Sequence, residues 1–279
     1  MKKIVTIMVA LAVLTAGFAF ASGQQEAEVM KLSMGGSTTC EPIIRSAIEA
    51  YADVDPNAEL SYEGTGSSVG VQSALDGVYD LGGASRDLKS KESSAGAVAT
   101  PIALDGIAVV ANNSVGIDNI SLEDLAKIYS GEIKNWSEVG GADVAIVVIN
   151  RDEASGTRAA FGELVVEKAL GKGTEYLKEA ITVESNGDMV TKVGSTPDSI
   201  GFCGLGYVDK AISGGAKALL VEGAEPTVDN ILTGAYKISR KLNIVSKGEP
   251  AGNAKVFIDY LLSDAGQSIV EDEGFIALP

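Results

Sequence analysis

Short apolar runs alternate with segments of helical period along most of the chain. Lys31 to Met34 and Leu60 to Tyr62 read as short strands, and a third begins at Tyr79 to Gly82. Between the first two, Ile43, Ile44, Ala47, Ile48 and Tyr51 recur at helical spacing behind Pro42, a residue suited to a first helical turn. Ile102 to Asn112 is apolar except for Asp105-Gly106, the pattern of a buried strand leaving one lobe for another. Ser121 to Tyr129 opens with Ser-x-x-Asp and predicts a capped helix. Val144 to Asn150 predicts a buried strand that runs into a polar turn and then a helix from Ser155 or Gly156 through Leu170. Further helices are predicted over 174–181 and from Ser185-Asn186-Gly187-Asp188 onward. Strands are predicted at 200–208, 218–221 and 236–245, and two helices, 253–262 and 264–273, close the chain. Strands alternating with helices define an α/β protein.

The polar punctuation is less ordinary than the apolar pattern. Four predicted strands end in turns of glycine and hydroxyl residues: 35–42 (GGSTTCEP), 63–70 (EGTGSSVG), 83–88 (GASRDL) and 151–157 (RDEASGT). One such turn is common, and Ser155 or Thr157 could simply cap a helix. The first turn of a helix, however, offers backbone N–H groups without internal partners and a partial positive charge. Small residues there admit an anion, and Arg151 and Arg86 add guanidinium forks matched to tetrahedral oxygens. In open α/β folds ligands lie beyond the carboxyl ends of strands. Four such ends converging on one small anion account for the pattern better than four independent caps.

The N-terminus narrows the setting. Met1-Lys2-Lys3, an apolar run from Ile4 to Leu14 and Ala19-Phe20-Ala21 predict a signal peptide over 1–21, followed by a disordered polar leader, Ser22 to Glu28. The run is short for the ~20 residues of a membrane span. A net charge of −16 argues against nucleic acid and anionic membranes as partners, so an anion site must work through local groups. There is no histidine, which excludes a Ser-His-Asp triad and a His-ligated metal, and no metal or cofactor is expected. Cys40 and Cys203 are expected to be buried thiols rather than a disulfide, and Trp136 a packing residue.

Seven segments, in this order and spacing, resemble the solute-binding proteins of ABC phosphate importers, the PstS family: 35–42, 62–75 (YEGTGSSVGVQSAL), 80–88 (DLGGASRDL), 105–112 (DGIAVVAN), 150–161 (NRDEASGTRAAF), 200–208 (IGFCGLGYV) and 235–248 (AYKISRKLNIVSKG). The resemblance implies a two-lobed type II periplasmic-binding-protein fold. Each lobe is a mixed sheet flanked by helices, with the ligand in the cleft. Lobe I is expected over 29–111 and 222–279, and lobe II over 112–221. The implied phosphate-binding residues are Ser37, Thr38, Thr39, Ser67, Arg86, Arg151, Ser155, Gly156 and Thr157. Better-known members carry an aspartate after the serine of the 80–88 turn, where it accepts the phosphate proton. Here Arg86 stands in that place, which leaves Asp105 or Asp87 as acceptor candidates. The resemblance implies phosphate as ligand, the membrane permease of an ABC importer as partner, and a monomer located in the periplasm or on the outer face of the cytoplasmic membrane. Alternatives are another oxyanion (sulfate, molybdate, tungstate), a sensor or adhesive role on the same fold, and an exported phosphate-ester hydrolase with Ser155 or Thr157 as nucleophile. The hydrolase lacks a histidine base and the pattern of an NTP-binding loop.

Overall fold

A computed structural model describes residues 29–279. The expected signal peptide and leader lie outside these residues. No helix among them is long and apolar enough to cross a membrane.

Eleven strands form among the described residues: β1 (Lys31–Gly36), β2 (Glu59–Glu63), β3 (Leu81–Ala84), β4 (Ala97–Asn112), β5 (Asn119–Ile120), β6 (Val147–Arg151), β7 (Ile181–Val183), β8 (Ser199–Gly204), β9 (Ala216–Ala218), β10 (Leu220–Val221) and β11 (Ser239–Lys247). β4 is the spine. Its first half pairs antiparallel with β11, which passes the sheet on to β3, β1 and β2. Its second half pairs with β8 and β9, and β8 leads to β6 and β7. The β1–β2, β1–β3, β6–β7 and β6–β8 pairs are parallel, so both halves are mixed sheets with their parallel strand ends turned toward one place. The Asp105-Gly106 interruption marks where β4 changes partners, as its isolated polarity in an apolar run suggests.

The two largest of four apolar clusters among the described residues follow this division. Met34, Ile43, Ile44, Tyr62, Ile102, Ala103, Leu242 and Phe257 pack in one. Ile107, Val109, Tyr129, Trp136, Phe161, Phe202, Tyr236 and Ile238 pack in the other. Trp136 is buried there, as expected of a packing residue, and its Nε1 donates to the carbonyl of Asp198 at 2.9 Å. Apolar packing thus changes sides between Ala103 and Ile107 and again between Ile238 and Leu242.

Helices join the strands, among them α1 (Glu41–Tyr51), α2 (Ser67–Asp76), α3 (Ser90–Ser94), α4 (Leu122–Ser130), α5 (Gly156–Phe161), α6 (Glu167–Leu170) and α7 (Asn186–Ser195). Ser121, Ser155 and Ser185 cap α4, α5 and α7 by accepting the N–H three residues on. Between α5 and α6 the chain widens into a π-turn segment, Gly162–Val166. The helix predicted over 174–181 does not form. Residues 174–180 are irregular and the chain then enters β7 beside β6. Tyr176 and Leu177 supply the apolar spacing, but they are fixed by contacts outside a helix: Tyr176 Oη donates to the carbonyl of Arg158, and the N–H of Leu177 donates to that of Tyr129.

Candidate anion-binding site

The four glycine-and-hydroxyl turns converge where the two cores face each other. α2 is drawn close to the sheet at Gly70, where a Cβ would lie 2.6 Å from the carbonyl oxygen of Gly35, so only glycine lets the helix start sit against the end of β1. At Gly156, the first residue of α5, a Cβ would overlap Ser67 Oγ and lie 2.8 Å from Ser85 Oγ. The starts of α2 and α5, from opposite lobes, therefore meet nearly backbone to side chain. The N–H of Ser68 donates across the gap to the carbonyl of Ala154 at 3.0 Å.

Thr38, Thr39, Ser67, Ser85, Arg151, Ser155, Thr157 and Asn186 are all buried here. Thr39 Oγ1 and Thr157 Oγ1 are 3.0 Å apart across the lobes. Asn186 Nδ2 donates to Thr38 Oγ1 and to Thr39 Oγ1, each at 3.0 Å. Ser67 Oγ accepts from the N–H of Ser85 at 3.1 Å and lies 3.3 Å from Ser85 Oγ. Ser37 Oγ instead accepts from the N–H groups of Thr39 and Cys40 and shapes the turn. Ser155 Oγ accepts from the N–H of Arg158, so the serine is both a cap and part of the cluster.

Three arginines surround these hydroxyls, and each is held differently. Arg151 is 1% exposed. Its Nη2 donates to the carbonyl of Glu184 at 2.7 Å and to Thr38 Oγ1 at 3.3 Å, while Nε and Nη1 have no protein partner. Burial lowers its pKa to about 10, so it stays cationic at neutral pH. Arg86 is clamped by Glu92, each Nη 2.8 Å from one carboxylate oxygen, and only its Nε is unpartnered. Arg240, which was not among the expected site residues, reaches in from β11. Its Nε and Nη2 donate to Asp105 Oδ2 at 2.9 and 2.7 Å, its Nη1 to the carbonyl of Ser85 at 2.9 Å, and its Nη2 also to Thr39 Oγ1 at 3.3 Å.

The two acceptor candidates part company. Asp105 is fully buried at the edge of the cluster, but Arg240 takes one of its oxygens and the N–H of Leu205 the other, at 2.9 Å. Burial raises its pKa against the opposing pull of Arg240. Asp87 is exposed, and it is its backbone carbonyl that receives Arg86 Nη1. Glu92, on α3, orients Arg86 instead. Cys40 and Cys203 are buried thiols whose pKa values burial pushes up to about 12.

Chemically, this is a buried cluster of donors. Arg86 and Arg240 are balanced by Glu92 and Asp105, and Arg151 alone has no carboxylate partner among the described residues. A buried cation with unfilled donors is costly unless an acceptor of opposite charge meets it.

A family model described as a PBP superfamily domain matches residues 21–265. The chain is 38% identical to the phosphate-binding protein PstS of Borreliella burgdorferi, covering 88% of this chain and 90% of that protein. It is 34% identical to PstS of Bacillus subtilis, covering 92% and 83%. Among solved structures, a protein of Clostridium perfringens assigned as a phosphate ABC transporter substrate-binding protein, with phosphate bound, superposes with a TM-score of 0.83 at 36% identity, covering 89% of this chain and 100% of that one. An ABC-type phosphate transport receptor of Vibrio cholerae gives 0.73 at 32% identity, covering 90% and 100%. The chain is thus a two-lobed member of the PBP superfamily and belongs, within it, to the PstS family of phosphate-binding proteins, which are substrate-binding proteins and not enzymes.

Proposed function

We propose that this protein captures inorganic phosphate between its lobes and delivers it to the membrane permease of an ABC importer, acting as an exported monomer at the periplasm or the outer face of the cytoplasmic membrane. The observation that carries this reading is Arg151. It is buried where the lobes meet, has no carboxylate partner among the described residues, and keeps two guanidinium donors without an acceptor. A tetrahedral dianion supplies both the acceptors and the charge. The hydroxyls of Thr38, Thr39, Ser67 and Thr157, the starts of α2 and α5, and Arg86 would complete the cradle.

Lobe I supplies the turns at 35–42, 62–75 and 80–88, and lobe II supplies 151–157 and Asn186. Capture then closes the lobes on the ligand, and the closed surface signals loading to the permease. We place the hinge at residues 104–106 and 239–241, where apolar packing changes sides, rather than at 111 and 222; lobe II is then 107–238. Calorimetric titration of ligand-stripped protein with phosphate, then with sulfate, molybdate and tungstate, tests the reading. One phosphate per chain, bound in the presence of EDTA and in preference to the other anions, is the expected result. No heat with phosphate, or tighter binding of another oxyanion, would overturn it.

A further inference from the structure

Resting on phosphate as the ligand, we propose that Asn186 is a positioning residue that, with Arg151 and Arg240, forces the Thr38 and Thr39 hydroxyls to act only as donors, so that this side of the cradle accepts only unprotonated oxygens of the anion.

The direction of each proton follows from groups that have no choice. The backbone N–H of Gly204 donates to the Asn186 side-chain oxygen at 3.1 Å. A backbone N–H cannot accept, so the amide oxygen faces Gly204 and the amide NH2 faces the threonines. Thr39 Oγ1 therefore receives Asn186 Nδ2 at 3.0 Å and Arg240 Nη2 at 3.3 Å. Two donors fill its two lone pairs, and its own proton must point out, toward Thr157 Oγ1 or a ligand. Thr38 Oγ1 receives Asn186 Nδ2, the Asn186 N–H at 3.4 Å and Arg151 Nη2 at 3.3 Å, and is likewise left to donate. Thr39 has one proton, so where it goes to Thr157 Oγ1 it is the Thr157 proton that points outward in its place. A hydroxyl is ordinarily indifferent to whether its neighbour is a P–O⁻ or a P–OH. Loaded in this way, Thr38 and Thr39 are not. The phosphate proton is directed away from these threonines, toward a hydroxyl such as Ser85 Oγ, whose hydrogen-bond partner among the described residues is Ser67.

Asn186→Asp tests this. The substitution keeps the size and the acceptor for Gly204 but turns the threonine-facing donor into an acceptor, and so reverses the hydroxyls. Asn186→Ala removes the donor without replacing it. The charged or titratable groups facing this amide are Arg151 on β6, Arg240 on β11 with Asp105 on β4, Tyr207, which donates to the Thr38 carbonyl, and Asp188 on α7 itself. Phosphate titrations run from pH 5 to 8.5, each expressed as the ratio to the parent at the same pH, cancel the ionisation of phosphate.

Asn186→Ala should weaken phosphate about 10-fold with a flat ratio, and Asn186→Asp about 1,000-fold at the alkaline end, narrowing on acidification as the new carboxyl takes up a proton and donates again. Equal losses in the two variants with the same flat ratio would overturn the proposal. If Asn186→Asp does not fold, a double-mutant cycle decides. Asn186→Ala should cost less in a Thr39→Val background than in the parent, and equal costs overturn it. A parent that binds no phosphate would instead refute the functional reading on which this rests.

Discussion

Replacing Arg151 by methionine should abolish tight phosphate binding without weakening the fold. The two consequences have different origins in the same side chain. Nε and Nη1 have no protein partner, and under the proposed function a bound phosphate would supply both their bonds. Charge-assisted hydrogen bonds contribute about 1.5–3 kcal/mol each, so losing two removes about 3–6 kcal/mol, or about 10²–10⁴ in affinity. In the unliganded protein the balance is the opposite. Burial lowers the guanidinium pKa to about 10, a drop on the order of 3 kcal/mol against the charged form in the folded state. Methionine removes that cost and gives up the bond to the Glu184 carbonyl, a loss of about 1.5–3 kcal/mol. The two nearly cancel.

Urea unfolding of phosphate-stripped protein should therefore place Arg151→Met within about 2 kcal/mol of the parent. Added phosphate should raise the midpoint of the parent and leave that of the variant unmoved. The parent has a further signature. A base whose folded pKa lies below its unfolded value gains fold stability as pH rises between the two, here upward from about 10, and the variant lacks that gain. A variant that is severely destabilised yet binds phosphate within tenfold of the parent would show that Arg151 is a structural cation, and the functional reading would lose its main support.

Gly156→Ala should prevent the lobes from meeting, because the new Cβ overlaps Ser67 Oγ; binding should fall by at least about 100-fold while the melt of stripped protein moves little. Burial pushes Glu92 up, but the Arg86 hydrogen bonds, the Lys89 N–H and the charges of Arg86 and Lys89 together outweigh it and hold Glu92 below its usual 4.5; its contribution to stability is present above that value and lost as pH falls through the folded pKa, and Glu92→Gln should flatten the acid limb of a stability–pH curve. Asp105→Asn leaves Arg240 buried without a counter-charge, so it should cost about 3–5 kcal/mol of stability and let sulfate compete better, read by urea unfolding and competition calorimetry. Small-angle scattering should show a smaller radius of gyration with phosphate than without, and equal radii would remove the hinge from the mechanism.

Much of the site is legible in the sequence because its residues sit in turns that local chemistry singles out. Thr38, Thr39, Ser67, Gly156 and Thr157 all occupy strand-to-helix turns, and Arg151 ends β6. Arg240 and Asn186 are not legible in that way. In the stretch YKISRKLNIV, Arg240 looks like an outward-facing strand residue. Only the antiparallel register of β11 on β4 sets it opposite Asp105. A signal exists all the same: a lone aspartate in an apolar run and an arginine in a strand each demand a partner once buried. Asn186 reads as part of a helix opening, which it is, yet its amide points back between the lobes. Likewise the spacing of Tyr176, Leu177, Ala180 and Ile181 is helical, but tertiary contacts override propensity in a segment that must end extended beside β6.

The substitution of Arg86 where better-known relatives carry aspartate looks at first like a cationic site that has lost its proton acceptor. The pairings in this chain remove part of that paradox. Arg86 brings its own counter-charge, since Glu92 in the helix that follows takes both Nη groups. Arg240 is balanced by Asp105 in the same manner. With their carboxylate partners these two arginines contribute no net charge, and Arg151 remains the single uncompensated cation of the cluster among the described residues. What they add is direction. Arg240 loads Thr39 and holds the Ser85 carbonyl, and Arg86 is tied to the same turn through the carbonyl of Asp87. A free carboxylate is then not needed to tell the ligand which way to face: Thr38 and Thr39 can only donate, and Ser85 Oγ, whose partner is Ser67, has room to accept. Ser85 is not loaded in this way and can turn its proton toward an unprotonated dianion, so the penalty against such an anion is weaker than the charge repulsion of a carboxylate. Sulfate should accordingly be a better competitor here than at a site built around an aspartate.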